Sequence, residues 1–391
     1  MLSVLQQNKH DEVLSFADKL HQSGCAPYAV GLYTDKYATN LGLDISIDVT
    51  PTKINTLFEG PTQKLVMQHK TPPSVNLRQM SQSLRDLINN QGVRQAPSYP
   101  WPILCIANLL LPPCYLMLVG STYLAVGISV LLGFITWLGQ ILLRDDRSIM
   151  LEFIVSLCAS FMVGVLASQV SQLPVLALCI SSIVLFIPGL TVTNALSSLA
   201  LNDFRSGMEL GAQSALIVLK IFIGVILGLS LSDLVVGTLP VTPFINEIAL
   251  PLHILALVGI SVGIGLIFNA SVIDILIGLP AAAIGMWGPH WFTSDWVVGT
   301  WISTILITLY GIFVGRLRQV PAPVYVLQGI IILVPGSRII VGASESYFAT
   351  AILPIPNIGL SALLMFSAIV AGQIMVYSIF SERFFAQKLL K

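Results

Sequence analysis

Apolar and polar positions divide the chain into two parts of different kind. From Trp101 onward, runs of about 20 apolar residues recur to the C-terminal end, and each is long enough to cross the hydrocarbon core of a bilayer as a helix. These runs predict an α-helical polytopic membrane protein. Ten transmembrane helices are expected, at roughly 102–120, 122–143, 149–168, 174–196, 208–231, 251–268, 270–290, 296–315, 323–344 and 357–380.

Residues 1–98 have a mixed pattern without a membrane-length apolar run. Apolar positions at helical spacing predict helices over 11–22, 28–41 and 75–88. Residues 43–58 and 63–69 alternate as strands do. We therefore expect a small N-terminal soluble α+β domain over 1–98, followed by a first five-helix membrane repeat over 99–232 and a second over 233–391.

The division into two repeats follows from a pair of matching breaks. Pro188-Gly189 and Pro335-Gly336 each interrupt an apolar run, and the offset between them places every apolar run of the first half on a run of the second. Because each half has an odd number of spans, the second must lie upside down relative to the first. Two inverted five-helix repeats are typical of secondary transporters.

The same breaks predict the binding site. A Pro-Gly pair inside a membrane helix removes a backbone donor and frees carbonyls, which only a protein-lined, wet cavity satisfies. Polar side chains that could replace a substrate's water follow each break. The predicted substrate-binding residues are Pro188, Gly189, Thr191, Thr193, Asn194, Lys220, Pro335, Gly336, Ser337 and Arg338.

Lys220 and Arg338 enter this set because they are basic residues within apolar spans, where a charge is expensive. The alternative is structural: Lys220 reaches the interface or pairs with Glu209 or Asp274, and Arg338 satisfies carbonyls freed by its break. Two acids lie about one turn inside their spans, Asp274 and Glu152, and are candidates for proton coupling because desolvation raises a carboxyl pKa. For Glu152, an ordinary boundary carboxylate is the competing interpretation.

Composition and charge restrict the function classes. The formal net charge is +0 and no Lys/Arg-rich block occurs, which argues against a nucleic-acid partner. No nucleophile motif, phosphate loop or metal-ligand spacing is visible, so we expect no enzyme, no cofactor and no metal. With both termini in the cytoplasm, every basic loop residue lies inside, as the positive-inside rule requires.

Three segments then carry a resemblance: LHQSGCAPYAVGLYTDKYATNLGL, FIPGLTVTNALSSLALNDFRSG and IIILVPGSRIIVGASES. Together they resemble the threonine/serine exporter (ThrE) family in its fused two-part form. The resemblance implies a cytoplasmic N-terminal domain, ten spans and a bacterial inner-membrane location. Where the family pattern places an Asp and an Arg after the first break, this chain has Ser198 and Leu210.

The expected function is secondary active export of small polar amino acids, threonine or serine, by alternating access coupled to the proton gradient, as an antiporter. A dicarboxylate such as succinate is the alternative substrate, and a passive channel or a membrane-bound hydrolase are the alternative functions. The expected partners are the small-molecule substrate, protons and the lipid bilayer. A homo-oligomer is also compatible with such a fold.

Overall fold

A computed structural model describes residues 2–60, 63–71, 74–143, 149–170, 173–200, 202–237, 247–333 and 355–380. The N-terminal part contains three helices and one sheet. The helices are α1 (Leu2–Gln22), α2 (Pro27–Asn40) and α3 (Leu77–Ile88), and the antiparallel sheet has the order β1 (Ile45–Thr50), β2 (Lys53–Phe58), β3 (Lys64–His69). We call α1–α3 with β1–β3 the N-terminal unit.

The predicted helices and strands of the N-terminal unit are confirmed to within a few residues, except that α1 begins at Leu2 rather than near Asp11. No proline or glycine precedes Asp11, so nothing in the sequence stops the helix from starting earlier. Phe16 and Tyr37 stack with their ring centroids 4.3 Å apart and join α1 to α2. This apolar core is continuous with that of the membrane part.

The remaining helices overlap the predicted spans. They are α4 (Trp101–Val119), α5 (Tyr123–Leu142), α6 (Leu151–Gln169), α7 (Val175–Ile183), α8 (Gly189–Ala200), α9 (Phe204–Val236), α10 (Leu250–Ile267), α11 (Val272–Phe292), α12 (Trp296–Arg318), α13 (Pro323–Leu333) and α14 (Ile355–Ile379). Within the described residues, 7 helices are long and apolar enough to cross a membrane, or 8 if α7 and α8 form one bent span. The polytopic membrane class is thereby confirmed.

Glycines allow the membrane helices to approach closely. Gly224 of α9 lies against Phe153 and Ser156 of α6, and Gly228, one turn later, lies against Leu157. A side chain at either glycine would meet α6 backbone, so the two helices touch along their small residues. The residue numbers of the contacting positions increase together along both helices, so α6 and α9 run parallel.

This register makes α9 extend well beyond its neighbour. It has 33 residues, which is about 50 Å of helix, and Lys220 lies opposite the beginning of α6. The segment 204–219 therefore precedes α6 and packs instead on α8, where Gly207 contacts Leu199 and Ala195. α8 and the first half of α9 form an antiparallel helix pair at this end of the protein.

Corresponding helices of the two halves have corresponding neighbours. In the first half α4 packs on α5, α5 on α7, and α6 on α9; in the second half α10 packs on α11, α11 on α13, and α12 on α14. The first helices of the two halves, α4 and α10, pack on each other.

Candidate functional site

The first Pro-Gly pair breaks its span. α7 ends at Ile183, a 3₁₀ turn covers Val184–Phe186, Ile187 is extended with φ −62° and ψ 119°, and α8 begins at Gly189 with its axis bent by 60°. Pro188 has no N–H to continue the ladder and disfavours helical geometry at Ile187. The next helix starts with Val192 N–H donating to the Pro188 carbonyl.

Proline alone does not explain the break. Pro112 and Pro113 lie inside α4, and Pro280 and Pro289 lie inside α11, yet those helices are continuous. What distinguishes Pro188 is that a glycine follows it, together with the surroundings of the pair. Both together allow the chain to change direction and start a new helix.

Gly189 lies directly against the second half of the chain. A Cβ built there would be 3.0 Å from Cγ1 of Ile331 and 3.8 Å from Leu327, both on α13. α13 is the helix that leads toward Pro335-Gly336. That second pair, with Ser337 and Arg338, lies outside the described residues. The first break thus packs on the helix that precedes the second.

The polar residues after the first break have different surroundings. Thr191 is half-buried, and Thr193 lies in α8 with its side chain outside the described part. Asn194 is buried, and its Nδ2 donates a hydrogen bond of 2.8 Å to the Gly24 carbonyl of the N-terminal unit. Leu190, one turn earlier, packs beside Gly24. The N-terminal unit therefore covers the residues that follow the break.

The same unit binds the turn between α10 and α11. The backbone N–H groups of Leu77 and Arg78 donate to the carbonyls of Phe268 and Asn269 at 2.9 and 3.0 Å. The Arg78 guanidinium adds a bond to the Ala270 carbonyl. The N-terminal unit is consequently in contact with both halves of the membrane part.

A third contact runs from the β1–β2 turn to α9. Thr52 Oγ1 donates to Glu209 Oε1 at 2.9 Å. The turn is held from behind by His21, whose Nε2 lies 3.2 and 3.0 Å from the carbonyl oxygens of Thr50 and Pro51. Burial lowers the pKa of His21, so the neutral ring is favoured in the folded protein.

Lys220 is paired with the acid at the start of α6. Its Nζ lies 3.4 Å from Glu152 Oε2 and donates to the Ile149 carbonyl at 2.7 Å. The structural alternative predicted Glu209 or Asp274 as the partner of Lys220, and this prediction is wrong. Both charged groups keep part of their surface exposed, 33% for Lys220 and 18% for Glu152. The pair lies where α6 begins rather than midway along it.

Asp274 belongs to a buried polar network between three helices. Its side chain is 1% exposed, and its carboxylate accepts hydrogen bonds from Tyr325 Oη at 2.8 Å and Ser271 Oγ at 2.6 Å. Gln328 Nε2 lies 3.4 Å from the Asp274 carbonyl, and Gln328 Oε1 accepts from Ser261 Oγ at 2.6 Å. The network joins α10, α11 and α13.

Two hydroxyl groups donate hydrogen bonds to the Asp274 carboxylate, and each hydroxyl oxygen can also accept one. The Arg318 guanidinium at the end of α12 lies near the Tyr325 hydroxyl. Polar groups therefore extend from the buried carboxyl toward the end of the bundle nearest the α12–α13 turn.

Sequence reasoning missed Gly24, Tyr325 and Gln328. Gln328 had a readable signal, because it is an amide inside the apolar run that leads to Pro335. Tyr325 lies one turn earlier and had only its hydroxyl to mark it. Gly24 had no such signal, since its partner Asn194 is distant along the chain.

An apolar groove of about 530 Å³ lies between α8 and the first half of α9. Its lining is almost entirely hydrocarbon and does not suit a polar substrate. Among the described residues, no group of three or more His, Cys, Asp and Glu side chains could hold a metal ion.

Comparison with known proteins gives one family. The model of the ThrE family, described as "Putative threonine/serine exporter", matches residues 11–232. The match includes most of the N-terminal unit, the first break, Glu152 and Lys220. Asp274 and the second Pro-Gly pair lie beyond it. No curated protein and no solved structure matches the chain.

Proposed function

Since the chain belongs to the threonine/serine exporter family, we propose that it exports threonine or serine as a secondary active transporter driven by the proton gradient. The family is described as exporting threonine and serine across a membrane. Our proposal adds the alternating-access mechanism, the coupling ion and the binding residues.

The observation that carries the proposal is the break at Pro188-Gly189 and its contact with α13. Broken helices place helix ends, with their unpaired backbone groups, where a substrate can use them. The α8 N-terminus supplies N–H donors for a carboxylate. Thr191, Thr193 and Asn194 follow within the next turn and a half. Pro335, Gly336, Ser337 and Arg338 are proposed to complete the site from the other half.

Alternating access is supported by the matching neighbours of the two halves. If the halves are inverted repeats, rocking one against the other opens the site first to one side and then to the other. The contact between α4 and α10 is the pairing expected when a two-fold axis relates the halves. We accordingly propose the division into 99–232 and 233–391, with both termini in the cytoplasm.

Proton coupling is proposed to use Asp274. It is buried, hydrogen-bonded through groups that can serve either protonation state, and connected to α13. Glu152 is the weaker candidate because Lys220 already neutralises it and because the pair is partly exposed. Lys220 with Glu152 is proposed to hold the start of α6 against α9, and Arg338 to bind the substrate carboxylate, for which a planar guanidinium is well suited.

The test is transport by the purified protein in proteoliposomes. Vesicles loaded with buffer receive labelled serine, threonine or succinate, with and without an imposed pH gradient. We expect accumulation of serine and threonine only with the gradient. Equilibration without accumulation would indicate a passive channel, and accumulation of succinate alone would establish the dicarboxylate alternative. No uptake of any of the three compounds would contradict the exporter proposal.

A further inference from the structure

The hydrogen bonds that join the N-terminal unit to the second half of the membrane part converge on one turn, between α10 and α11. Besides the backbone pairs at the α10–α11 turn, the side-chain amide of Asn269 donates to Asn76 Oδ1 at 2.9 Å and to the Pro97 carbonyl at 3.2 Å. Backbone and side-chain bonds at one turn make this attachment the anchor.

The described contacts with the first half are distributed over α8 and the first part of α9. Asn194 donates to the Gly24 carbonyl, Thr52 donates to Glu209, and Leu190 packs beside Gly24. These residues belong to α8 and to the part of α9 that precedes α6. A movement of α8 relative to the α10–α11 turn would break these contacts and leave the anchor intact.

We propose that the N-terminal unit closes the cytoplasmic side of the transport path by holding α8 through Asn194. The unit bridges the two halves whose relative movement opens the path, and it covers the residues that follow the break. Opening requires the Asn194–Gly24 bond to separate. The inference rests on the proposed function, because it presumes a transport path that opens when the two halves move.

The chemistry of the contact suggests what replaces it. The Asn194 amide is a donor, and the Gly24 carbonyl is an acceptor. A substrate carboxylate is also an acceptor, and a charged one forms the stronger bond. The carboxylate of an amino acid can therefore take the position of the Gly24 carbonyl, so that substrate binding and release of the N-terminal unit occur together.

The chain offers a matched pair of glycines for the test. Gly24 has φ +81°, and a Cβ there would be 3.4 Å from Leu190 Cδ2 and 3.3 Å from the Ser74 carbonyl. Gly42, at the end of α2, has φ +75° and nothing within 4 Å of a Cβ. Both Gly24→Ala and Gly42→Ala introduce similar backbone strain. At Gly24 the strain acts on the residue whose carbonyl accepts the hydrogen bond from Asn194 of α8, whereas at Gly42 nothing lies within 4 Å of the added Cβ.

The primary measurement is hydrogen exchange of the full-length protein in lipid nanodiscs. We expect α8 amides to exchange about five-fold faster in Gly24→Ala, as the loss of one hydrogen bond implies, and at the wild-type rate in Gly42→Ala. Thr52→Val removes the bond to Glu209 without backbone strain and should act in the same direction as Gly24→Ala. Equal α8 exchange in Gly24→Ala, Thr52→Val and Gly42→Ala would overturn the proposal.

The second measurement is the concentration of serine that half-saturates transport from the cytoplasmic side. Loosening the closed state should lower this concentration by a similar factor in Gly24→Ala, because a larger fraction of the protein is competent to bind. Faster exchange of the α8 amides with an unchanged half-saturating serine concentration would refute the proposal that a substrate carboxylate takes the place of the Gly24 carbonyl. If the wild type transports neither serine nor threonine, the proposed function fails, and the exchange rates still decide whether the unit holds α8.

Discussion

Replacing Pro188 and Gly189 together by alanine should straighten the first broken span. A proline inside a helix disfavours it by about 3 kcal/mol relative to alanine, and a glycine by about 1 kcal/mol. The contacts that α8 loses on straightening are the same in wild type and variant, so they cancel from the difference. The variant should therefore favour the straight helix by about 4 kcal/mol more than the wild type, roughly a thousand-fold in the equilibrium.

The size of the structural change follows from the bend. The segments Val175–Phe186 and Gly189–Leu199 meet at 60°, and each is about 17 Å long at 1.5 Å per residue. Straightening should lengthen the distance between their outer ends by about 5 Å. Spin labels at positions 176 and 199, in a background without the native cysteines, would measure this distance in the double variant and in the parent.

The functional assay is export in cells at equal membrane levels of the two proteins. Export should fall sharply in the double variant because the helix end proposed to bind the substrate is lost. Pro280→Ala is the matched control, since Pro280 lies inside a continuous helix with its side chain exposed, and it should transport normally. A lengthened distance with normal export would mean that the break is not the site, and an unchanged distance would refute the energetic argument.

Four further outcomes are expected. Asp274→Asn should permit serine to equilibrate but abolish accumulation against a gradient; accumulation at the wild-type level would exclude Asp274 as the proton carrier. Arg338→Gln should nearly abolish transport while Arg338→Lys raises the half-saturating concentration, and unchanged kinetics in both would remove its anchor role. The double variant Lys220→Met with Glu152→Gln should keep transport within about two-fold of wild type, because a partly exposed pair contributes less than about 1 kcal/mol. His21→Gln should reduce the loss of thermal stability on acidification from pH 7.5 to 5.5. Burial lowers the pKa of His21 in the folded protein. The unfolded chain therefore binds a proton at this residue at a higher pH, near the usual imidazole pKa of about 6.5, and acidification favours unfolding.

The sequence was sufficient for elements whose periodicity is local. Alternation at period two located the strands around Thr50-Pro51, and apolar runs of membrane length located the helices from Trp101 onward. The break at Pro188-Gly189 could also be predicted, because the proline restricts the residue before it and the glycine after it gives the backbone additional freedom. In each case the determining interactions lie within a few residues along the chain.

Lys220 shows where such reasoning ends. A hydropathy window places it near the centre of span five, because the apolar run extends on both sides of it. Its actual position is fixed by the contact of Gly224 and Gly228 with α6, which puts Lys220 opposite the first turn of that helix. The register between the two helices depends on packing at the glycines and cannot be predicted from hydropathy.

Asn194 and Asp274 were both recognised as polar residues in apolar surroundings, but their partners were not. Gly24 and Tyr325 come from other parts of the chain, and tertiary contacts of that kind leave no periodic signal. The partners nevertheless change the interpretation of each residue. Asn194 becomes a contact between the N-terminal unit and the break, and Asp274 becomes part of a network on α13.

These contacts bear on how a proton at Asp274 could affect the break. Tyr325 and Gln328 join Asp274 to α13, and Ile331, on the same helix, lies against Gly189. Gly278 and Gly285 of α11 are in direct contact with Gln328 and with the backbone at Gly329, so α11 and α13 are tightly packed and should move together. In the proposed coupling, a change of hydrogen bonding at Asp274 would act on the break through this helix pair. The coupling then requires no change in the residues between them, only a shift of α13 relative to α8.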